Sequence, residues 1–594
     1  MKYRLFPVYG LLGVSLFLTG CGGDGHDGSD GVDGKDASSQ VVGLERVGRT
    51  ASQGFDVSAA EIVDYDKQHN RIFVVNADSG RVDVFSDLTS AQPALYGSLD
   101  LAQMLVDNAI VSATSEVGAA NSISVYGDYA AVAVEANTKT DNGWVIFLNT
   151  SDLSYARAVQ VGALPDMVTF APDGSKVLVA NEGEPNSDYS VDPDGSVSVV
   201  SMSDYSVINI GFTDFNVGGS RNGELPTDKM VLDGFSATTS DNKATVAQSF
   251  EPEYISVAAD NSKAYVTLQE SNAVAVINLN DSSVDKIIGL GFKDHSIPGN
   301  ELDASQKDGV HIQNWPVMGM YMPDSITSMT YNGKTYLLTA NEGDDRQDWL
   351  ENVTDQAACE AAGYYFDSSD NCVDAFSAKD YYDSDNVTLD SNMTSSDNGG
   401  FGDDDELRRL KFSYHTSVVQ NGGTDFEKLY AYGARSFTIW DAETGEQVFD
   451  SGSDFERLTA LRYGDDFNND NAENSGDDRS DNKGPEPEAI TVGQVNGHTY
   501  AFIGLERMGG IMVYDVSNPY APQYVQYIND RDLSIDPDDN SGSTYSVDAG
   551  DLGPEGFKFV SASDSGSGKP YLIVGNEVSG TTAIYEVKLT RLSD

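Results

Sequence analysis

Between Val41 and Asp594 the chain repeats one short phrase. An apolar strand ends in a polar turn, and a second strand rich in Val, Ile and aromatic residues follows it. The phrase is plain in Arg71–Phe85, Lys176–Val200, Lys263–Leu279, Thr499–Val516 and Tyr571–Val587. Tyr129–Leu148 and Lys428–Asp441 are looser copies, and Thr335–Gly343 supplies an eighth second strand with no visible third one. Runs of β-branched and aromatic residues bounded by Gly, Asn, Asp and Pro are strands. Small antiparallel sheets repeated without helical signal between them predict an all-β protein, a single β-propeller of seven or eight four-stranded blades. Val41–Val47 is expected to pair into the last blade and close the ring. A row of β-sandwiches would need linkers, and no Pro/Ser-rich linker interrupts this stretch. Phe212–Ser249, Asp281–Asn314, Asp344–Glu406 and Asp465–Lys483 depart from the repeat as long acidic loop insertions. Asp344–Glu406 reads as a solvated elaboration more than as a lid.

Acidic residues recur at fixed places in the phrase. First strands follow Pro165-Asp166, Pro252-Glu253, Pro323-Asp324, Pro487-Glu488 and Pro554-Glu555. Second strands end in Asn181-Glu182, Gln269-Glu270, Asn341-Glu342, Leu505-Glu506 and Asn576-Glu577. In an antiparallel hairpin the start of one strand and the end of the next lie at the same end. Both sets therefore converge on one face, around the mouth of the central channel. Glu184, Asp344, Asp345, Glu486 and the loop Asp465–Asp478 add to it.

The composition sharpens this reading. With 94 Asp+Glu against 36 Lys+Arg the net charge is −58. That balance disfavours nucleic acid, whose phosphates need Lys and Arg to replace counterions. It favours cations. A ring of carboxylates is costly without counter-charge, and calcium accepts six to eight oxygens in flexible geometry. The expected ligands of a divalent metal, calcium first, are Glu182, Glu253, Glu342, Glu486, Glu488, Glu506, Glu555 and Glu577. The alternative use of these acids is to cap strand ends and build Asx turns. Asp192-Pro193-Asp194-Gly195 resembles a fragment of a calcium loop but lacks the spacing and closing Glu of an EF-hand.

Arg346, Arg507 and Arg479 lie beside these acids in a chain poor in basic residues. An Arg can hold a phosphate bidentately while a metal activates water. Arg346, Arg507 and Asp344 are therefore the candidate catalytic residues. Each Arg could equally do no more than pair with its acidic neighbour. His69, His295, His311, His415 and His498 show no metal-ligand spacing, and neither a nucleophile elbow nor a P-loop is present. Trp315 is expected to pack as a wedge beneath the strand that follows it.

The N-terminus is read as a processing segment. Lys2 and Arg4 precede the apolar run Leu5–Leu18, and Leu18-Thr19-Gly20-Cys21 resembles a bacterial lipobox. This implies a signal peptide over residues 1–20, lipidation of Cys21, and a flexible Gly/Asp-rich tether over residues 21–40. The propeller then spans residues 41–594, with its main insertion at about 344–406. Gly22 after the Cys points to the outer membrane of a Gram-negative bacterium, with the lipid anchor as the membrane contact. Cys359 and Cys372, in an exported chain, suggest one local disulfide.

Several separated runs resemble the choice-of-anchor I proteins: Leu164–Pro185, Asn314–Asp324, Tyr336–Arg346, Leu429–Asp441, Lys483–Ile490, Phe502–Asp515 and Gly553–Phe557. The resemblance implies an exported propeller whose attachment device varies between members. Some relatives carry an alkaline-phosphatase label, which makes metal-dependent phosphomonoester hydrolysis the enzymatic expectation. The other expectation is a calcium-stabilised propeller that binds a surface polymer or protein without catalysis.

Overall fold

In the computed structural model, residues 40–591 are described except 233, 347–349, 351, 368–369, 384–387, 395–399, 421–424 and 538–545. Cys21 and the rest of the leader and tether lie outside the described residues. The chain divides into residues 1–41 with 591–594, and the body 42–590, which carries the blades.

Seven four-stranded antiparallel sheets follow one another along the chain, so the protein is a seven-bladed β-propeller. The innermost strands of blades one to seven are Val63–Asp66, Val117–Tyr126, Pro165–Phe170, Pro252–Val257, Ile326–Tyr331, Pro487–Val495 and Pro554–Val560. All seven line one axial cavity of about 290 Å³. Blade seven is completed by the first strand of the chain, Gln40–Arg49, which lies outside Thr581–Arg591. Thr50 and Thr582 exchange backbone and side-chain hydrogen bonds at that seam. The ring is thus closed by pairing the first and last of the described strands, as expected from Val41–Val47.

The count of seven resolves the eighth hairpin. Lys334–Asn341 does have a third strand, Ser436–Asp441, paired from Tyr336↔Asp441 to Asn341↔Ser436. An insertion separates the two within blade five. Thr335–Gly343 and Lys428–Asp441 are therefore two halves of one blade and not two copies of the repeat. The insertion leaves and returns through a neck of touching backbones. A Cβ on Gly343 would lie 2.1 Å from Gly433 N, and one on Gly433 would lie 2.0 Å from Glu342 O, so only glycine fits either position.

The insertion is also not a solvated elaboration. Phe376, Phe401, Leu407, Leu410, Phe412 and Phe426 are buried with Trp315 in a core of their own. Ala375–Phe376, Phe412–Ser413 and Tyr430–Ala431 join Phe292–Asp294 and Met318–Met320 in a five-stranded sheet. The acidic run Asp403–Glu406 conceals these apolar residues when composition alone is weighed. Trp315 packs as expected, its Nε1 donating to Leu302 O at 2.9 Å. Short helices such as Leu101–Asp107 and Asp454–Tyr463, for which the repeat pattern holds no signal, lie between blades.

Cys359 and Cys372 are bonded, 13 residues apart, in a small cluster with Tyr189, Phe235 and Tyr364. Closing a loop of this length stabilises by about 3 kcal/mol, and here that acts on the insertion. The double variant Cys359→Ser/Cys372→Ser is expected to raise amide exchange around residues 353–373 while leaving the blades protected. Uniform loss of protection in every blade would show that the disulfide stabilises the whole propeller.

Candidate functional site: an axial ring of carboxylates

The innermost strands explain how the acids reach the axis. In blades three, four, six and seven the register slips by one residue just after the opening Pro: Pro165↔Asn181 but Val168↔Val179, and likewise at Pro252, Pro487 and Pro554. A bulge of this kind re-aims the residue within it. In each case the first of the two residues within it is the acid: Asp166, Glu253, Glu488 or Glu555. The residue before the Pro is bent as well. Leu164, Met322 and Glu486 hold φ of 45°, 41° and 51°, although a following Pro favours extended backbone. Such positions cost on the order of 1–3 kcal/mol each and cluster at functional sites.

The second acidic set is held against the first by backbone hydrogen bonds. Glu182 N donates to Leu164 O at 2.9 Å, Glu506 N to Glu486 O at 2.8 Å, and Glu577 N to Gly553 O at 2.8 Å. Around the axis, Asp166 adds to the raised proton affinity of Glu61, Glu253 and Asp324, and Asp324 to that of Glu488 and Glu555. Blade two has Gly118 at this position, and Glu135 from its second strand fills the space.

Burial is the largest influence on these groups. It pushes the carboxyls of Glu61, Glu182, Glu251, Glu253, Asp324, Glu488, Glu506 and Glu555 well above the ordinary range, with neighbouring acids adding to the effect. Asp166 is pushed up to about 7, first by burial and then by Glu184. Glu61, Asp166, Glu253, Asp324, Glu488 and Glu555 nevertheless keep partial solvent contact.

Three of the protein's own cations gather on Glu342, Glu486 and Glu506. Lys483 Nζ lies 2.6 Å from Glu342 Oε1, 3.3 Å from Glu486 Oε2 and 3.9 Å from Asp344 Oδ1. Arg479 pairs with Glu486 Oε1 at 2.7 Å. Arg507 Nε is 3.0 Å from Glu506 and 3.5 Å from Glu486. Burial alone would raise Glu486, but Lys483, Arg479 and Arg507 together hold it below the usual carboxylate range. Arg346 is engaged by Glu251 and donates to Ser249 O at 3.0 Å. All three arginines thus face acids.

The axial half of the ring differs. Among the described residues, buried oxygens of Glu61, Glu488 and Glu555 have no hydrogen-bond partner. Leaving such an oxygen unpaired is costly. Asp324, Glu342 and Glu488 each bring a carboxylate oxygen within 4.8 Å of the others, and so do Glu342, Glu486 and Glu506. Oxygen-only donors of this density suit a hard divalent cation. The structure thus gathers Glu182, Glu253, Glu342, Glu486, Glu488, Glu506, Glu555 and Glu577 at one mouth, with Asp344, Arg346 and Arg507 at its edge. Sequence reasoning missed Glu61 and Glu251, and it assigned no role to Lys483. Asp192 and Asp194 lead into the third strand of blade three, with burial pushing Asp192 up to about 7. No helix among the described residues is long and apolar enough to cross a membrane.

Known structures similar to this chain include hydrazine synthase of Kuenenia stuttgartiensis, with 11% identity over 91% of this chain and 97% of that one and a TM-score of 0.39. The Pan2 WD40 domain of Neurospora crassa matches at 9% identity over 94% and 98%, with a TM-score of 0.39. Gigasin-3a of Magallana gigas is 29% identical over 190 residues, covering 31% of this chain and 65% of that protein. The chain therefore spans less than two thirds of that relative's length. The choice-of-anchor I domain matches residues 61–519, from the first ring acid to just past the third strand of blade six. The chain belongs to the choice-of-anchor I family.

Proposed function

We propose that this is an exported, lipid-anchored propeller whose working face is the axial ring, loaded with a divalent cation, calcium by the hardness of its ligands. The observation that carries this reading is the set of buried carboxylate oxygens on Glu61, Glu488 and Glu555 that no donor among the described residues reaches. Asp324, Glu342 and Glu488 would be the first ligands, with Glu253, Glu555 and Asp166 around them and Glu182 and Glu577 behind. A bound cation there would polarise a phosphoryl oxygen and lower the pKa of its water.

Phosphomonoester hydrolysis is the catalytic use of this face, and Arg507 favours it. Its side chain keeps 30% exposure beside the cluster of Glu342, Glu486 and Glu506, so it can turn toward an anionic group at the mouth. Asp344, half-exposed on the same rim, would accept a proton from attacking water. Arg346, buried against Glu251, would position the rim instead of touching a substrate. The non-catalytic reading is support for loops that bind a surface polymer or protein.

The deciding experiment is phosphomonoesterase activity of the full chain with EDTA and with calcium restored, read beside the melting temperature. Turnover lost in EDTA and regained with calcium supports the hydrolase. A calcium-dependent rise in melting temperature without turnover assigns the ring to the binding role. Neither response would remove the cation from the ring altogether.

A further inference from the structure

The two groups of carboxylates that could hold a cation share Glu342, yet the protein treats them differently. Asp324 and Glu488 have no cationic side chain against them among the described ion pairs. Glu486 and Glu506 are met by Arg479, Arg507 and Lys483. Lys483 is the one cation of these three that also reaches Glu342, the shared ligand. Its ammonium faces three carboxylates, Glu342 and Asp344 from one segment and Glu486 from its own loop, which is the environment of a bound ion more than of a surface salt bridge.

The contact is also incomplete as a hydrogen-bond set. Glu486 is fully buried, and its Oε2 faces Lys483 at 3.3 Å and Arg507 at 3.5 Å without a well-directed hydrogen bond from either. Lys483 satisfies that oxygen as a point charge does. Lysine is suited to this, being a compact charge on a flexible stem.

We propose that Lys483 is a tethered cation occupying what would otherwise be a second divalent-metal site formed by Glu342, Glu486, Glu506 and Asp344. The ring is thereby held to a single metal beside a fixed ammonium, and an anionic ligand would meet one metal and one lysine instead of two metals. This rests on the ring being a cation site. It predicts that removing the ammonium creates a further cation site, because three buried carboxylates with Asp344 would then have Arg479 and Arg507 as their only counter-charges among the described ion pairs.

The test is calcium stoichiometry of the full chain, by calorimetric titration and by metal content after dialysis. Lys483→Met is expected to bind one more calcium per chain than the wild type, and adding Glu506→Gln to it should remove that extra ion. Lys483→Gln, neutral and more polar, should behave as Lys483→Met does if the methionine impairs folding. Lys483→Arg should keep the wild-type stoichiometry. If wild type, Lys483→Met and Lys483→Gln bind the same non-zero number, the tethered-cation role is overturned while the ring site stands. If none of them binds calcium, the ring reading itself fails and takes this inference with it.

Discussion

Stripped of divalent cations, the protein should lose stability as the pH rises from about 4 toward 8, and excess calcium should flatten that slope. Burial raises the folded-state proton affinity of Glu61, Glu253, Asp324, Glu488 and Glu555, and Asp166 titrates at about 7. In the unfolded chain the same carboxyls titrate at roughly 3.9–4.3. Between those limits the folded state binds more protons than the unfolded one, so stability falls as pH rises. Glu486 runs the other way. Its affinity is lowered, so its contribution is present above about 4.3 and lost only as the pH falls through its folded value. The acids whose affinity is raised outnumber it, and their sign prevails.

A cation at the axis replaces the missing protons as counter-charge, which removes the pH dependence. At a hundredfold excess over its dissociation constant it also adds about 2.7 kcal/mol. Melting temperatures measured in EDTA and in calcium at pH 5, 6, 7 and 8 would test this. A melting temperature in EDTA that is flat or rises over that range would mean the ring is not under electrostatic strain.

Much of this was readable in the sequence for one physical reason. Strand polarity dictates which strand ends share a face, so Pro165-Asp166 and Asn181-Glu182 could be placed at one mouth before any coordinates. The same argument does not reach Glu61, which follows an Ala and so lacks the Pro that marked the other first strands. Nor does it reach Lys483, which arrives from a loop 141 residues beyond Glu342. The blade count was ambiguous because the partner of Lys334–Asn341 stands on the far side of the insertion, where local periodicity carries no information. The insertion's core was hidden for a related reason. Its apolar residues serve short, irregular elements with neither a period of 2 nor one of 3.6.

The loop that delivers Lys483 and Arg479 is fixed from behind by another cation, and removing it should have the largest effect of any single substitution. Arg435 is 4% exposed, and its guanidinium donates to Glu456 Oε1 at 2.5 Å, Asp303 O at 2.6 Å, Ser480 O at 2.8 Å and Asn482 O at 2.7 Å. Glu456 is itself buried and accepts from Asp303 N and Asn468 Nδ2. Arg435→Met would leave that carboxylate without its counter-charge and two carbonyls of the loop without their side-chain donor. Breaking a buried pair from one side costs about 3–5 kcal/mol. Lysine cannot substitute, because one ammonium cannot span four acceptors that the planar fork reaches from two nitrogens. Urea denaturation should therefore show a loss of that size in Arg435→Met and a comparable one in Arg435→Lys. Calcium binding should shift toward the extra ion expected of Lys483→Met, since Asn482 adjoins Lys483 and its release takes the ammonium off Glu342. A loss below about 1 kcal/mol, the range of an exposed pair, would show that the loop is held by its own turns. In that case the placement of Lys483 would owe nothing to Arg435.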